Sequence, residues 1–162
     1  MIKTSVYLDE SQKARLDEVS VLSGRSQADL IREAAAYLNP IEIAGRLFGN
    51  VAAIAETPDG RRFPGVCIDT PCGTGFCAEA AAIGAMVTAG EQRIARIVAV
   101  WRDPGTGRLH VLPPCGRCRL FVSQVHPDNL HRTRVILGDH EATALADLSP
   151  SHEWPAPLDA AF

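Results

Sequence analysis

Cys77-Ala78-Glu79 and, further on, Pro114-Cys115-Gly116-Arg117-Cys118 are the two stretches that decide how this chain is read. Three thiols and one carboxylate in this arrangement are the material of an open zinc site, because a catalytic zinc takes three protein ligands and leaves its fourth tetrahedral position to water. Cys77, Cys115 and Cys118 form the expected ligand set. Glu79 stands two residues after the first of them. On the first turn of a helix opening near Phe76, its carboxylate reaches water at the open position without being a ligand, which is the placement of a general acid/base.

The segments around these motifs alternate between strand and helix patterns. Val51-Ala52-Ala53-Ile54-Ala55, the turn Pro58-Asp59-Gly60, and the return from Phe63 to Ile68 read as a β-hairpin. After the turn from Pro71 to Gly75, an Ala-rich helix is predicted from about Phe76 to Thr88, with Gly90 beyond its end. The apolar run from Ile94 to Trp101 is a central strand, Pro104-Gly105-Thr106-Gly107 turns the chain, and His110, Val111 and Leu112 extend the sheet. A helix opens at Cys115 behind two prolines and runs through Leu120, Phe121 and Val125, and Thr133 to Leu137 is a further strand. This alternation predicts an α/β fold, a layered mixed sheet flanked by helices.

Both cysteine motifs thus fall at helix starts, and the chemistry needs them there. Three thiolates on Zn²⁺ leave the site at net −1, which opposes the loss of a proton from bound water. Each helix N-terminus aimed at the sulfurs offsets part of that charge, by ~0.3–1 kcal/mol. Arg117 or Arg119 can add a charge-assisted hydrogen bond to a thiolate, and Arg119 is the expected partner.

Composition bounds the rest. With 162 residues, 46% of them apolar, the chain suits one main domain with room for a small appended module. A net charge of −3 gives no global basic footprint, so nucleic-acid binding needs a local patch. Five cysteines are an odd number, and their metal-like spacing argues against a disulfide framework, which implies a reducing, cytoplasmic setting. Neither a signal peptide nor a membrane span is expected. The five histidines have no ligand spacing to one another and are read as non-metal.

Residues 1–38 carry their own pattern. Ile2, Thr4, Val6 and Leu8 alternate with polar neighbours as in a short strand. Asp9 or Ser11 caps a helix ending at Ser23-Gly24, and Ser26 caps a second one whose apolar positions are Ala28, Leu30, Ile31, Ala34, Ala35 and Leu38. This strand-helix-turn-helix resembles the ribbon-helix-helix module of small bacterial repressors. The resemblance implies pairing of the strand across a dimer, and residues 1–38 are expected to dimerise with Val6, Leu8, Leu16 and Leu30 in the shared core. It also implies DNA contacts from Lys3, Ser5, Tyr7 and Arg25, although the module can equally serve only to dimerise. The expected organisation is residues 1–40 as this module, 41–150 as the zinc domain, and 151–162 as an irregular tail containing Trp154. Ile41, Ile43, Ala44, Leu47 and Phe48 are expected to form a short helical piece leading into the sheet.

The pattern of Cys77, Glu79 and the later Pro114-Cys115-x-x-Cys118 resembles the zinc-dependent cytidine deaminases. The resemblance implies hydrolytic deamination of a cytosine-containing nucleoside or analogue, with water attacking C4, ammonia leaving and Glu79 moving the protons. It also implies a homo-oligomer, dimer or tetramer. Many relatives carry Arg directly after the Glu, whereas this chain has Ala80. Nucleoside-deaminating relatives carry Asn-x-Glu where this chain reads Cys67-Ile68-Asp69, a departure that puts cytidine itself in doubt. The stretch from Pro114 to Arg119, Val125-His126-Pro127 and the ending around Ser149-Pro150 resemble the blasticidin S deaminase branch. By this reading Phe48, Cys67, Asp69 and Ala78 touch substrate, Phe48 by stacking on the ring. A rival reading joins Cys72 to Cys77, Cys115 and Cys118 in a closed structural site of four cysteines, making the chain a zinc-stabilised or nucleoside-sensing DNA-binding regulator.

Overall fold

Ser26 begins the part of the chain that the computed structural model describes, residues 26–70 and 72–150. The expectations for Lys3, Ser5, Tyr7 and Arg25, and for the tail with Trp154, lie outside the described residues. The Ser26 hydroxyl accepts the Asp29 N–H at 3.2 Å, and the Asp29 carboxylate accepts the Ser26 N–H at 3.0 Å. This reciprocal capping box starts α1 (Gln27–Ala36) where the sequence places it.

The helix does not keep its apolar stripe for a separate module. Leu30, Ile31 and Ala34 are buried against Ala52, Ile54, Val98, Val100 and Ile136 of the central sheet. Leu30 therefore packs in the core of the layered domain, while Val6, Leu8 and Leu16 lie outside the described residues. The stretch after α1 also differs from expectation. It is a hairpin and not a helical piece: β1 (Ile41–Ile43) pairs antiparallel with β2 (Arg46–Phe48). Ala44 and Gly45 lie at φ 52° and 74°. Two consecutive left-handed residues make the tight turn whose twist matches a β-ribbon, and no helix passes through them.

The main sheet runs in the order β4-β3-β5-β7-β8, with β6 also paired to β5. Its strands are β3 (Val51–Glu56), β4 (Arg62–Val66), β5 (Arg96–Arg102), β6 (Leu109–Leu112), β7 (Arg134–Ile136) and β8 (Ala142–Ala144). All pairs are antiparallel except β5 with β7. Alternation in the two central strands splits the core into two layers. Ala53, Ala55, Ile97 and Ala99 face α2 (Ala78–Thr88), which contributes Ala78, Ala82, Ile83 and Met86, while Ala52, Ile54, Val98 and Val100 face α1. On the α2 side lie α3 (Gly116–Val125), whose Val122 joins that core, and the single turn α4 (Asn129–Arg132). Asn129 is fully buried and ties this region together, accepting the Ile94 N–H at 2.9 Å and donating to the carbonyls of Gln92 and Val122 at 2.9 and 3.0 Å.

A charged cluster at the other end of the sheet was not legible in the sequence. Glu56, 1% exposed, accepts Arg96 Nε at 2.7 Å and Arg62 Nε at 2.9 Å. Arg62 also pairs with Glu33 on α1, so the cluster fastens that helix to the sheet.

Candidate active site

Close packing of β4 against the start of α2 builds the site. A Cβ at Gly65 would sit 2.2 Å from the Ala82 nitrogen and 2.5 Å from the Ala78 carbonyl oxygen, so only glycine on the strand and alanines on the helix permit this approach. The connecting loop is closed by a bridge between Ile68 and Phe76, with backbone bonds of 3.0 and 2.9 Å, and Gly75 packs where a Cβ would meet the Ile68 carbonyl at 2.5 Å. Cys77 follows at once as the N-cap of α2, and Cys115 is the N-cap of α3; neither side chain is used as a cap. Their sulfurs are left free for another purpose.

The Sγ atoms of Cys77, Cys115 and Cys118 all lie within 4.8 Å of one another, and those of Cys77 and Cys115 are 3.7 Å apart. Two sulfurs bound ~2.3 Å from one tetrahedral centre lie roughly 3.8 Å apart, so the three residues fit zinc. Cys72 does not join them. Its exposed thiol lies 3.0 Å from Thr74 Oγ1 and 3.6 Å from Thr70 Oγ1, which removes the fourth ligand of the closed four-cysteine reading.

Electrostatics point the same way as geometry. Burial, and then the charge of Glu79, pushes the Cys118 thiol far above its ordinary range, and burial raises Cys77. Cys115 is also penalised by burial, but hydrogen bonds from the Cys118 backbone N–H and from the neighbouring thiols outweigh this and hold it below the usual thiol value. Glu79, only 5% exposed on the first turn of α2, is raised by burial. Cys118 and Glu79 are thus buried groups whose charged forms are disfavoured, and Cys77 shares that bias, while Cys115 is the thiol most readily ionised; a divalent cation among the sulfurs would stabilise the thiolate form of all three.

Above the thiols opens a cleft of about 310 Å³ whose wall includes Asn50, Cys67, Asp69, Phe76, Ala78, Glu79, Pro113 and Arg117. Of the residues expected to touch substrate, Cys67, Asp69 and Ala78 line it. Phe48 does not: it pairs with Ile41 in the β1–β2 hairpin, and the ring at the cleft wall is Phe76. Arg119 does not contact a thiol; its Nε donates to the Pro114 carbonyl at 2.8 Å and its guanidinium to the Leu148 carbonyl at 2.7 Å, fixing the loop that delivers Cys115. The arginine in the cleft is Arg117, which donates to the Gly75 carbonyl at 3.2 Å and so spans the two cysteine motifs. Asn50 and Phe76 were missed by sequence reasoning. Phe76 carried a signal in its position next to Cys77; Asn50 carried only its polarity at the head of an apolar strand.

This fold is that of the cytidine deaminases. The cytidine deaminase of Mycobacterium leprae matches at 25% identity with a TM-score of 0.61, over 76% of this chain and 97% of that one. The cytidine deaminase of Burkholderia pseudomallei matches at 26% identity with a TM-score of 0.61, over 78% of this chain and 98% of that one. In sequence, the chain is homologous to the blasticidin-S deaminase of Bacillus cereus, 36% identical over 83 residues, which are 49% of this chain and 59% of that protein. The chain thus spans less than two thirds of this relative. Residues 2–38 match the family model described as ribbon-helix-helix protein, copG family.

Proposed function

We propose that the chain is a zinc-dependent hydrolase that removes ammonia from a cytosine-containing nucleoside or analogue. The observation that carries this reading is the buried carboxylate of Glu79 on the wall of a cleft also lined by Cys77 and Cys115, which cluster with the buried Cys118, each cluster arm rooted at a helix N-terminus. Likeness to cytidine and blasticidin-S deaminases supports the same chemistry.

Cys77, Cys115 and Cys118 would hold the zinc, which as a Lewis acid makes water available as a nucleophile near neutral pH. Glu79 accepts the proton of the attacking water. It delivers that proton to the ring nitrogen next to C4 as the water oxygen bonds to C4, then takes the proton of the resulting C4 hydroxyl and passes it to the exocyclic amino group, so that the bond from C4 to that amino nitrogen breaks, ammonia leaves and a carbonyl remains at C4. The walls of Phe76 and Ala78 exclude bulk water around this transfer. Arg119 acts through the Pro114 carbonyl, holding Cys115 in place, and the ring stacks on Phe76 in place of Phe48.

Residues 1–38 add a second role. The copG-family match supports dimerisation through this segment, with DNA contacts from Lys3, Ser5, Tyr7 and Arg25. The exposed Ile41, Ile43 and Leu47 of the hairpin support a homo-oligomer, dimer or tetramer. No described helix is long and apolar enough to cross a membrane. A gel shift on the gene's upstream region that weakens steeply with salt and needs Lys3 and Arg25 checks the DNA contact.

Ammonia release from cytosine, cytidine, deoxycytidine and blasticidin S tests the activity. Turnover of at least one is expected, with Glu79→Gln keeping zinc and fold but losing ~10²–10⁴-fold in rate. Absence of turnover across the panel, or a Glu79→Gln rate within about tenfold of the parent, overturns the reading.

A further inference from the structure

Position 67 offers the cleft no amide, yet an amide stands there. Asn50 lines the cleft from the head of β3, and its Oδ1 accepts the Cys67 thiol at 2.9 Å. The same sulfur accepts the Val51 N–H at 3.4 Å, so its one proton is committed to Asn50. Backbone bonds from Gly49 N–H to the Cys67 carbonyl, 3.1 Å, and from Cys67 N–H to the Val51 carbonyl, 3.0 Å, bracket Asn50 on both sides. Gly49 is itself fixed, since at φ 66° it packs where a Cβ would lie 2.5 Å from the Asn39 carbonyl oxygen. The side chain is therefore held with its oxygen occupied and its NH₂ group without a hydrogen-bond partner among the described residues. Asp69, two residues past Cys67 on the same wall, likewise has no hydrogen-bond partner among them.

One donor and one acceptor lining the same cleft match a sugar hydroxyl, which accepts one hydrogen bond and donates another. A cytosine ring placed with C4 at Glu79 directs its sugar away from the thiols, toward the remaining wall. Resting on the deaminase reading above, we propose that Asn50 is a substrate-contacting, specificity-determining residue, its amide oriented by the Cys67 thiol to donate to the sugar of a nucleoside whose hydroxyl Asp69 accepts. Cys67 is then a positioning residue. The site prefers a nucleoside over the free base.

Calorimetric titration of cytidine and of cytosine into zinc-loaded Glu79→Gln protein tests this without turnover. Adding Asn50→Ala should raise the cytidine Kd about three- to tenfold, the size of a lost neutral hydrogen bond, and leave cytosine within about twofold. Asn50→Asp, similar in shape but unable to donate, should lose at least as much. Cys67→Ser keeps a donor to Oδ1 and should stay near the parent, whereas Cys67→Ala frees the amide to turn and should fall between. Three results overturn the proposal: a cytidine Kd changed less than about twofold by Asn50→Ala, an equal loss for cytosine, or no cytidine binding at all. Failure of the deaminase reading shows separately, as absence of ammonia release by the chain with Glu79 intact, and the Kd comparison decides Asn50 in either case.

Discussion

The sulfurs of Cys77 and Cys115 stand 3.7 Å apart because each residue is the N-cap of its own helix, Cys77 of α2 and Cys115 of α3, and the two helix starts converge on one point. Neither thiol caps its helix, and both are therefore presented outward with two positive helix ends behind them. Cys118, one turn into α3 and buried, completes the cluster.

That convergence predicts one zinc per chain. Cys115→Ser and Cys77→Ser should lose the metal, while Cys72→Ser should keep full occupancy, since the Cys72 thiol is engaged with Thr74. Elemental analysis of the purified variants checks this. Metal loss in Cys72→Ser would restore the closed four-cysteine site.

Gly65→Ala should disturb the site from a distance. The added methyl meets the backbone of Ala82 and Ala78, which cannot yield as a flexible side chain can, so strand or helix must shift. A loss of ~1–3 kcal/mol in urea unfolding is expected, together with weaker zinc retention because Cys77 and Glu79 ride on the same helix start. Gly84→Ala, where a Cβ meets nothing, is the control; it should stabilise α2 by ~0.5–1 kcal/mol.

Glu56→Ala leaves the guanidinium groups of Arg62 and Arg96 without their shared carboxylate at a position 1% exposed. Breaking a buried ion pair from one side costs ~3–5 kcal/mol, and urea midpoints should show a loss of that order. A variant of unchanged stability would mean that water reaches the cluster freely.

The burial of α1 sets where the chain can be cut. A chain beginning at Ser26 should keep the cooperative unfolding of the parent core, whereas one beginning at Pro40 strips Leu30, Ile31 and Ala34 from Ala52, Ile54, Val98 and Val100 and should aggregate. Leu30→Ala is the milder probe, with an expected loss of ~2–5 kcal/mol. Circular dichroism with urea titration decides it; a stable, folded chain from Pro40 onward would return α1 to a separate module.

Local chemistry was legible in the residues themselves. The capping box of Ser26 and Asp29, the hairpin turned at Gly60 and the two cysteine motifs at helix starts each depend on near neighbours, which a sequence displays directly. Such readings located Cys77, Glu79, Cys115 and Cys118. Where the chain meets itself over long separations, the same sequence was silent or misleading. Whether α1 spends its apolar stripe on residues before or after it, which ring and which arginine reach the cleft, and that Asn50 lies against Cys67 were decided by packing. The reason is physical: an apolar stripe or a free amide is compatible with many partners, and only the closing of the sheet against α2, at Gly65, selects one of them.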